Sequence, residues 1–374
     1  MKVLSRIIFW QNIVSSLQVP FIREVAKKFK GDVILAVPRK LTDERVKLGW
    51  AVPDCSPAKL IINPAQKQIE ELIQNRSKET CHFFSGMRGY PFVWSAFGAS
   101  LNVKTFRAII SEPSRWQGFN GGLRLLRGRF DVWRYGKSIN YIFAVGGLAV
   151  RWFKLCGFAD RKIVEFAYST DCPKSGHCSE STDGAYKIVF VGQCIKRKGI
   201  DLLLQALSGL RDKGWHLEVI GEGKDRANFQ ELTRKLGIEE KVNYFGAMQN
   251  SEAMLRLQSA DLLVLPSRWD GWGAVVNEAL MRGVPVVCTN HCGAADLLGA
   301  SERGSVVEFG SVESLRSVME SWIRKGHVKP EQRARIREWS QCIQGSATAD
   351  YLLRIINHSK AGEGKPRPKA PWLS

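Results

Sequence analysis

Two acidic residues, Asp270 and Glu278, lie eight positions apart around a turn in which a tryptophan stands between two glycines. An apolar run predicts a strand before this turn, and the pattern after it predicts a helix over Ala274–Met281. Main-chain amides at a glycine turn can approach an anion closely, and a helix start adds favourable potential. Carboxylates can accept hydrogen bonds from sugar hydroxyls. The pattern therefore indicates a site for the phosphates of a nucleotide sugar.

Each acid also has an ordinary structural explanation. Asp is a preferred residue at the N-cap of a helix, which is the position that Asp270 would take. Glu278 precedes Arg282 by four residues, the spacing of a common ion pair on a helix surface. Taken alone, the segment leaves both interpretations open.

A second candidate is the basic loop Lys196-Arg197-Lys198, which follows the predicted strand Lys187–Val191. Cations next to a glycine turn can bind phosphates as point charges. A solvated basic loop is the alternative, and for this loop alone it is the simpler one. Further along, the predicted strand Leu217–Ile220 runs into a Gly-x-Gly pair, which is weak evidence by itself.

The order of these segments resembles a known family. VFVG-x5-KG-x2-LL, then VIGEG, then VNYFG, then LPS-x2-D-G-x-G-x4-E-A-x3-G-x-PVV is similar to the retaining GT-B glycosyltransferases of family 4, the glycosyl transferases group 1. The likeness is strong over Lys187–Leu298 and weak over Met1–Thr170. It implies two doubly wound Rossmann-like α/β domains facing a central cleft, with a helical C-terminus.

The resemblance also implies roles for individual residues. Lys198 matches the lysine that binds the diphosphate, Asp270 faces the donor sugar and also counts among the catalytic residues, and Glu278 faces the ribose. Met248, after the third motif, would border the base. The main chain of the turn would contact donor sugar and phosphates: Gly271, Trp272, Gly273, Ala274 and Val275.

The chain departs from the family pattern at several positions. Gln193 stands where arginine is common and is expected among the donor-binding residues, with Lys196 or Arg197 as the alternative source of the phosphate contact. Asp270 is one methylene shorter than the usual glutamate. The family's histidine after a central strand of the first domain has no match. Glu112 follows the predicted strand Phe106–Ile110 at about that place, and we expect it to contact acceptor or donor in a catalytic role. A local partnership with Arg115 is the alternative.

Alternating strands and helices in both halves of the chain predict two parallel sheets covered by helices. We expect an acceptor-binding domain over 1–170, a linker over 171–185 and a nucleotide-sugar-binding domain over 186–330. Helices over 331–358 are expected to pack back toward the first domain. The basic, proline-containing end, 359–374, predicts a disordered tail.

The formal charge of +19 is concentrated in the first half. Residues 1–170 contain 27 Lys and Arg against 12 Asp and Glu, whereas residues 171–374 contain 28 against 24. Lys104–Lys137 has eight basic residues against two acids, interleaved with Trp116, Phe119, Phe130 and Trp133. Such a segment can rest on an anionic membrane surface and receive a lipid-linked acceptor. A basic solvated face with its aromatics packed inward is the alternative.

The chain has nine scattered cysteines, no apolar run long enough to span a membrane and no signal-like start. These features predict a cytoplasmic protein. Together with the basic aromatic segment, they lead us to expect it at the inner face of the membrane. The resemblance implies metal-independent, cofactor-free, retaining transfer from a nucleotide sugar to a saccharide or lipid-linked acceptor. Bacterial surface polysaccharide synthesis is the expected pathway. A sugar epimerase or disaccharide synthase of the same fold is the alternative enzyme. Nucleic-acid binding, which the charge suggests, has no recognisable motif and is not expected.

Overall fold

The computed structural model describes residues 4–43, 45, 51–171, 184–358 and 366–373. Backbone contacts divide the chain into two units. The first unit, here called the N domain, takes the residues up to Asp171 together with those from Cys342 onward. The second unit, the C domain, takes the intervening residues to Gln341. Residues 172–183, most of the predicted linker, lie outside the described residues.

The N domain contains a seven-stranded parallel sheet with the strand order β3-β2-β1-β4-β5-β6-β7. Its central strands are buried on both faces, as expected for a parallel sheet covered by helices. The strands are β1 (Arg6–Trp10), β2 (Asp32–Val37), β3 (Lys59–Ile62), β4 (Thr80–Ser85), β5 (Phe106–Ser111), β6 (Tyr141–Val145) and β7 (Ile163–Phe166).

The C domain contains a six-stranded parallel sheet with the order β10-β9-β8-β11-β12-β13. In both sheets the first strand is therefore central. The next two strands are added on one side of it, and the remaining strands are added on the other side. The strands are β8 (Tyr186–Val191), β9 (Trp215–Ile220), β10 (Val242–Gly246), β11 (Leu262–Leu265), β12 (Val286–Thr289) and β13 (Gly304–Val307).

In the described part of the chain, α-helices connect most of the successive strands. In the N domain they are α1 (Val19–Lys28), α2 (Gln66–Gln74), α3 (Pro91–Ser100), α4 (Phe119–Tyr135) and α5 (Gly147–Cys156). In the C domain they are α6 (Ile200–Ser208), α7 (Arg226–Lys235), α8 (Asn250–Gln258), α9 (Ala274–Leu280), α10 (Val312–Lys325) and α11 (Pro330–Trp339). The last helix, α12 (Gly345–His358), belongs to the N domain.

The two predicted sheets and the doubly wound α/β class are confirmed, and the predicted strands Phe106–Ile110, Lys187–Val191 and Leu217–Ile220 agree with β5, β8 and β9 within two residues. The sequence missed β3, α3 and α4. Glycines at 121, 122 and 128 obscure the helical pattern of α4. They also have structural reasons, since a Cβ at Gly121 would lie 2.1 Å from the Trp116 carbonyl oxygen, and one at Gly128 would lie 2.5 Å from the Cys156 sulfur.

The C-terminal end corrects two expectations. Only α12 packs in the N domain, against α1, whereas α11 belongs to the C domain. Residues 366–373 of the predicted disordered tail are packed: Trp372 is buried and makes edge contacts with Phe166 and Tyr351. An indole has enough apolar surface to hold a short terminal segment on a core. Residues 359–365 lie outside the described residues.

None of the helices in the described part of the chain has the length and apolar character that a membrane span requires.

A buried histidine should make the N domain sensitive to acid. His82 on β4 is fully buried and accepts a hydrogen bond from Trp10 Nε1 at 3.1 Å. Burial, followed by the charges of Arg6 and Arg107, lowers its pKa from 6.5 to about 3. The unfolded chain therefore binds the proton more tightly, and stability falls as pH drops below about 6.5. Between pH 7.5 and 5 this one group should cost about 2 kcal/mol.

Urea unfolding of the wild type and of His82→Phe at these two pH values measures the contribution of His82 protonation to the free energy of unfolding. The lost packing and hydrogen bond are independent of pH and cancel in the comparison between the two conditions. The variant should therefore lose about 2 kcal/mol less stability than the wild type on acidification. Equal losses in the two proteins would contradict the assignment.

Candidate functional site

Two of the predicted donor residues of the C domain, Lys198 and Asp270, meet where the strand order of its sheet reverses. β8 lies beside β11, and the chain leaves these neighbours toward opposite edges of the sheet. Lys198 follows β8 and Asp270 follows β11, so both lie beyond the carboxyl ends of the two strands. In open α/β sheets ligands bind at this topological switch point.

Lys198 and Asp270 form an ion pair across the switch point. Lys198 Nζ lies 2.6 Å from Asp270 Oδ2, and the two side chains are only 15% and 12% exposed. Ser267 Oγ is a further donor to the same carboxylate oxygen, at 3.5 Å. The structure thus brings together a cation and an acid that the sequence separates by 72 residues.

The loops that carry this pair are joined to each other by main-chain and side-chain contacts. Arg268 donates its amide to the Arg197 carbonyl at 2.8 Å, and Arg197 Nη1 donates to the Trp269 carbonyl at 2.8 Å. The Arg268 guanidinium also binds both carboxylate oxygens of Asp201, at 2.7 and 2.6 Å. A bidentate pair of this kind fixes direction as well as distance. These contacts therefore fix the positions of Lys198 and Asp270 relative to each other.

A glycine allows the loops to approach this closely. Gly199 has φ +75°, and a Cβ there would lie 2.0 Å from the carbonyl oxygen of Pro266. The position requires both the left-handed conformation and the absence of a side chain. Sequence reasoning treated Gly199 only as a helix start.

On its other side, the Asp270 main chain is attached to the loop after β12. Its amide donates to the His291 carbonyl at 2.9 Å, and its carbonyl accepts from the Gly293 amide at 3.0 Å. Thr289 Oγ1 donates to the Ser267 carbonyl at 2.6 Å. The carboxylate is therefore positioned from three neighbouring strand ends.

In the turn after Asp270 the tryptophan side chain is buried, so only the main chain is available to a ligand. Trp272 is buried, and its indole nitrogen donates to Asn277 Oδ1 at 2.8 Å. Gly273 has φ +92° and lies against the Cys292 sulfur, where a Cβ would be 2.6 Å away. The helix that follows is short, seven residues over Ala274–Leu280. Contacts with a donor were predicted for residues 271–275. At Trp272 only the backbone atoms are available for such a contact.

Glu278 lies on the second turn of α9 and is half-buried. Burial raises the pKa of its carboxyl, and the charge of Arg282 partly opposes this rise. Arg282 Nη1 donates to the Glu278 main-chain carbonyl at 2.9 Å. An acid kept in a partly desolvated position gains strongly from hydrogen bonds donated by a ligand.

Gln193 and Met248 occupy other loops at the same edge of the sheet. Gln193 is exposed directly after β8, and Met248 is half-buried between β10 and α8. The loops after β8 and β9 touch, because Gly221 packs against Gly192 so closely that a Cβ would lie 2.0 Å from its carbonyl oxygen.

Glu112 belongs to the N domain. It is exposed directly after β5, and its main-chain carbonyl accepts a hydrogen bond from Ser111 Oγ at 2.9 Å. It lines a cavity of about 510 Å³ beyond the carboxyl ends of β4 and β5, which α4 and α5 also border. The charge of Glu112 adds to burial in raising the pKa of Tyr168 on the same cavity wall. Sequence reasoning found Glu112 but not the cavity, since α4 was missed.

Comparison with known proteins finds relatives for the second half of the chain. The family model of glycosyl transferases group 1 matches residues 179–341. The lipopolysaccharide glucosyltransferase WaaG of Escherichia coli K12 is 31% identical over 170 residues, which is 43% of each chain. LpsE of Rhizobium meliloti, a lipopolysaccharide core biosynthesis glycosyltransferase, is 26% identical over 172 residues, 46% of this chain and 49% of LpsE. This chain thus spans less than half the length of these curated relatives.

Solved structures match over nearly the whole chain. Anabaena HepE in complex with UDP superposes with a TM-score of 0.72 at 13% identity, covering 94% of this chain and 100% of HepE. The lipopolysaccharide outer core galactosyltransferase WaaB, in its apo form, gives 0.72 at 14% identity, covering 95% and 99%.

Two Rossmann-like domains with a switch-point site of this composition define the class: the fold is that of the GT-B glycosyltransferases. Within that class, the sequence of residues 179–341 matches the glycosyl transferases group 1.

The close approach at Gly199 predicts a large stability effect with a matched control. Gly199→Ala and Gly237→Ala both put alanine at positive φ, +75° and +64°, but no atom lies within 4 Å of the Cβ site at Gly237. In both variants the left-handed conformation of alanine should lower the free energy of unfolding by about 1–2 kcal/mol. Gly199→Ala should lose about 2 kcal/mol more, because the loop must move away from Pro266. Urea unfolding measures both, and equal losses would contradict the packing described.

Proposed function

We propose that this protein is a retaining, metal-independent glycosyltransferase that transfers a sugar from a nucleoside-diphosphate donor to a saccharide or lipid-linked saccharide. The ion pair between Lys198 and Asp270 at the switch point carries the proposal. The pair offers a cation for the diphosphate and a carboxylate for donor-sugar hydroxyls within one hydrogen-bond length of each other. Glu278 is assigned to the ribose, and Met248 to the edge of the base.

In this assignment the acceptor hydroxyl attacks the anomeric carbon from the face that the nucleotide leaves. The bond from that carbon to the diphosphate oxygen breaks, the bond to the acceptor oxygen forms, and the acceptor proton passes to the leaving phosphate. Lys198 stabilises the negative charge that develops on the diphosphate. Positioning and charge stabilisation are then the enzyme's contribution, and neither needs a metal or a cofactor.

The relatives support the class of donor and the setting. HepE was solved with UDP, and WaaG and LpsE are named for lipopolysaccharide synthesis. We infer that this chain works in bacterial surface polysaccharide assembly, at the cytoplasmic face of the membrane. Glu112 is proposed to contact the acceptor, because it lines the cavity of the N domain.

Membrane attachment is proposed through α4. Five large apolar side chains on this helix are each more than half exposed, and their spacing of four, three, four and three residues puts them on one face. They are Phe119, Leu123, Leu126, Phe130 and Trp133. An apolar stripe of this kind costs free energy in water and gains it in a lipid interface.

The charge around the stripe favours an anionic bilayer as its occupant. Arg124, Arg127, Arg129 and Arg134 are all exposed on the same helix, and each basic residue near an anionic surface contributes about 1 kcal/mol. Two residues of the expected basic aromatic segment do not take part. Arg107 is buried and donates to Ser100 and nearby carbonyls, and Trp116 stacks on Trp152.

Removing either key side chain of the donor site should abolish most of the activity. Lys198→Ala and Glu278→Ala should each lower turnover by about 100-fold or more, the usual cost of losing a group that stabilises transition-state charge or aligns the donor. Circular dichroism and urea unfolding should report a folded protein in both cases. Lys235→Ala, which changes an exposed lysine on α7 away from the donor loops, is the control and should stay near wild type. Near-normal transfer by both variants would refute the assignment.

Vesicle cosedimentation at low salt tests the membrane proposal. The wild type should bind vesicles of phosphatidylcholine with phosphatidylglycerol and stay off phosphatidylcholine alone. Leu126→Gln/Trp133→Gln should bind at least tenfold more weakly, since burying each side chain is worth about 1.5–3 kcal/mol. Leu255→Gln changes an exposed leucine on α8 of the C domain and should have no effect. Binding that is indifferent to the α4 substitutions would exclude this helix as the contact.

A further inference from the structure

The exposed apolar stripe and the cavity of the N domain lie on different faces of the same helix. Arg124, Arg127, Gly128 and Asp131 of α4 line the cavity, and their spacing of three to four residues is that of one helix face. The stripe at 119, 123, 126, 130 and 133 occupies a different face of that helix. One helix therefore connects a surface suited to lipid with a cavity suited to a small molecule.

The cavity has the size and lining of a ligand site. Its volume of about 510 Å³ lies in the usual range for small-molecule pockets. Aromatic side chains from α5 and from the loops at this end of the sheet supply apolar walls, and they include Tyr90, Trp152, Phe153, Phe158 and Tyr168. Flat rings of this kind can stack against the apolar faces of sugar rings.

Charged groups in the lining leave two arginines available to an anion. Arg88 is committed to the buried Asp131, at 2.7 Å, and to the ring of Trp94. Arg124 uses one nitrogen on the Arg115 carbonyl, at 3.0 Å. For Arg127, the described part of the chain contains no hydrogen-bond or ion-pair partner. Arg124 and Arg127 are one helical turn apart, so their guanidinium groups can bind one anion together.

We propose that this cavity is an acceptor subsite for a phosphate- or pyrophosphate-linked saccharide, with the phosphate oxygens held by Arg124 and Arg127. A terminal phosphate presents three acceptor oxygens and more negative charge than a carboxylate, so it is the better match for two guanidinium groups. A helix with its side chains is about 10 Å across. A phosphate bound on one side of α4 therefore lies within reach of a lipid anchored at the stripe. The proposal rests on the proposed function, and it adds the chemical class of the acceptor.

Inorganic pyrophosphate, titrated by calorimetry, tests the two anion sites separately. The wild type should bind two equivalents. Lys198→Gln should remove the one in the C domain, and Arg124→Gln/Arg127→Gln should weaken the other at least tenfold. Arg129→Gln/Arg134→Gln makes the same charge change on the same helix outside the cavity lining, and it should change neither affinity by more than twofold.

The outcomes separate the acceptor subsite from the donor site. If the two double-arginine variants weaken binding equally, the effect is general charge and the subsite is refuted. If only the equivalent lost in Lys198→Gln exists, the subsite is also refuted while the donor site stands. A second arm compares glucose 1-phosphate with methyl glucoside by ligand-observed NMR. Binding of the phosphate alone, lost in Arg124→Gln/Arg127→Gln, supports the proposal, and equal binding of both sugars overturns it.

Discussion

The proposed donor site depends on one constraint: two loops 72 residues apart in sequence must meet between β8 and β11. The parallel sheet brings the strand ends together, but contact between the loops needs more. Gly199 removes the side chain that would strike Pro266, and Arg268 ties the loops through Asp201. Only then can the Lys198 ammonium lie 2.6 Å from the Asp270 carboxylate. The chemistry proposed for this protein depends on that distance being fixed before a donor arrives.

An ion pair with both side chains largely buried is costly to build unless each charge has a further use. In the function proposed for the C domain, that use is to bind a ligand. A diphosphate can take over the lysine, and sugar hydroxyls can donate to the acid, so each group finds partners in both states. Glu278 fits the same logic, because its partly desolvated carboxyl has a raised pKa and gains from donated hydrogen bonds.

The C domain could be predicted well from sequence because its motifs coincide with strand ends and turns, where residue type and backbone geometry are closely coupled. Lys198 and Asp270 were selected in this way and the structure brings them together, whereas the donor role of Glu278 stays a prediction. The pairing of Arg268 with Asp201 could not be, since ordinary charged residues far apart in sequence carry no local signal. In the N domain, α4 escaped notice because its glycines interrupt the pattern and its apolar face points to solvent. Trp372 lies in a basic, proline-containing segment whose composition predicts disorder. Its packing depends on core residues far away in sequence, so no local pattern could predict it.

The most direct test of the central claim is a transfer assay with a panel of nucleotide sugars, in which NMR reads the anomeric configuration of the product and the nucleoside diphosphate released. The account predicts that one donor is consumed with equal release of nucleoside diphosphate. The new glycosidic bond should keep the donor's configuration, and EDTA should not slow the reaction. Inverted product, a rate abolished by EDTA, or no consumption of any donor with lipid-phosphate saccharides present would contradict it.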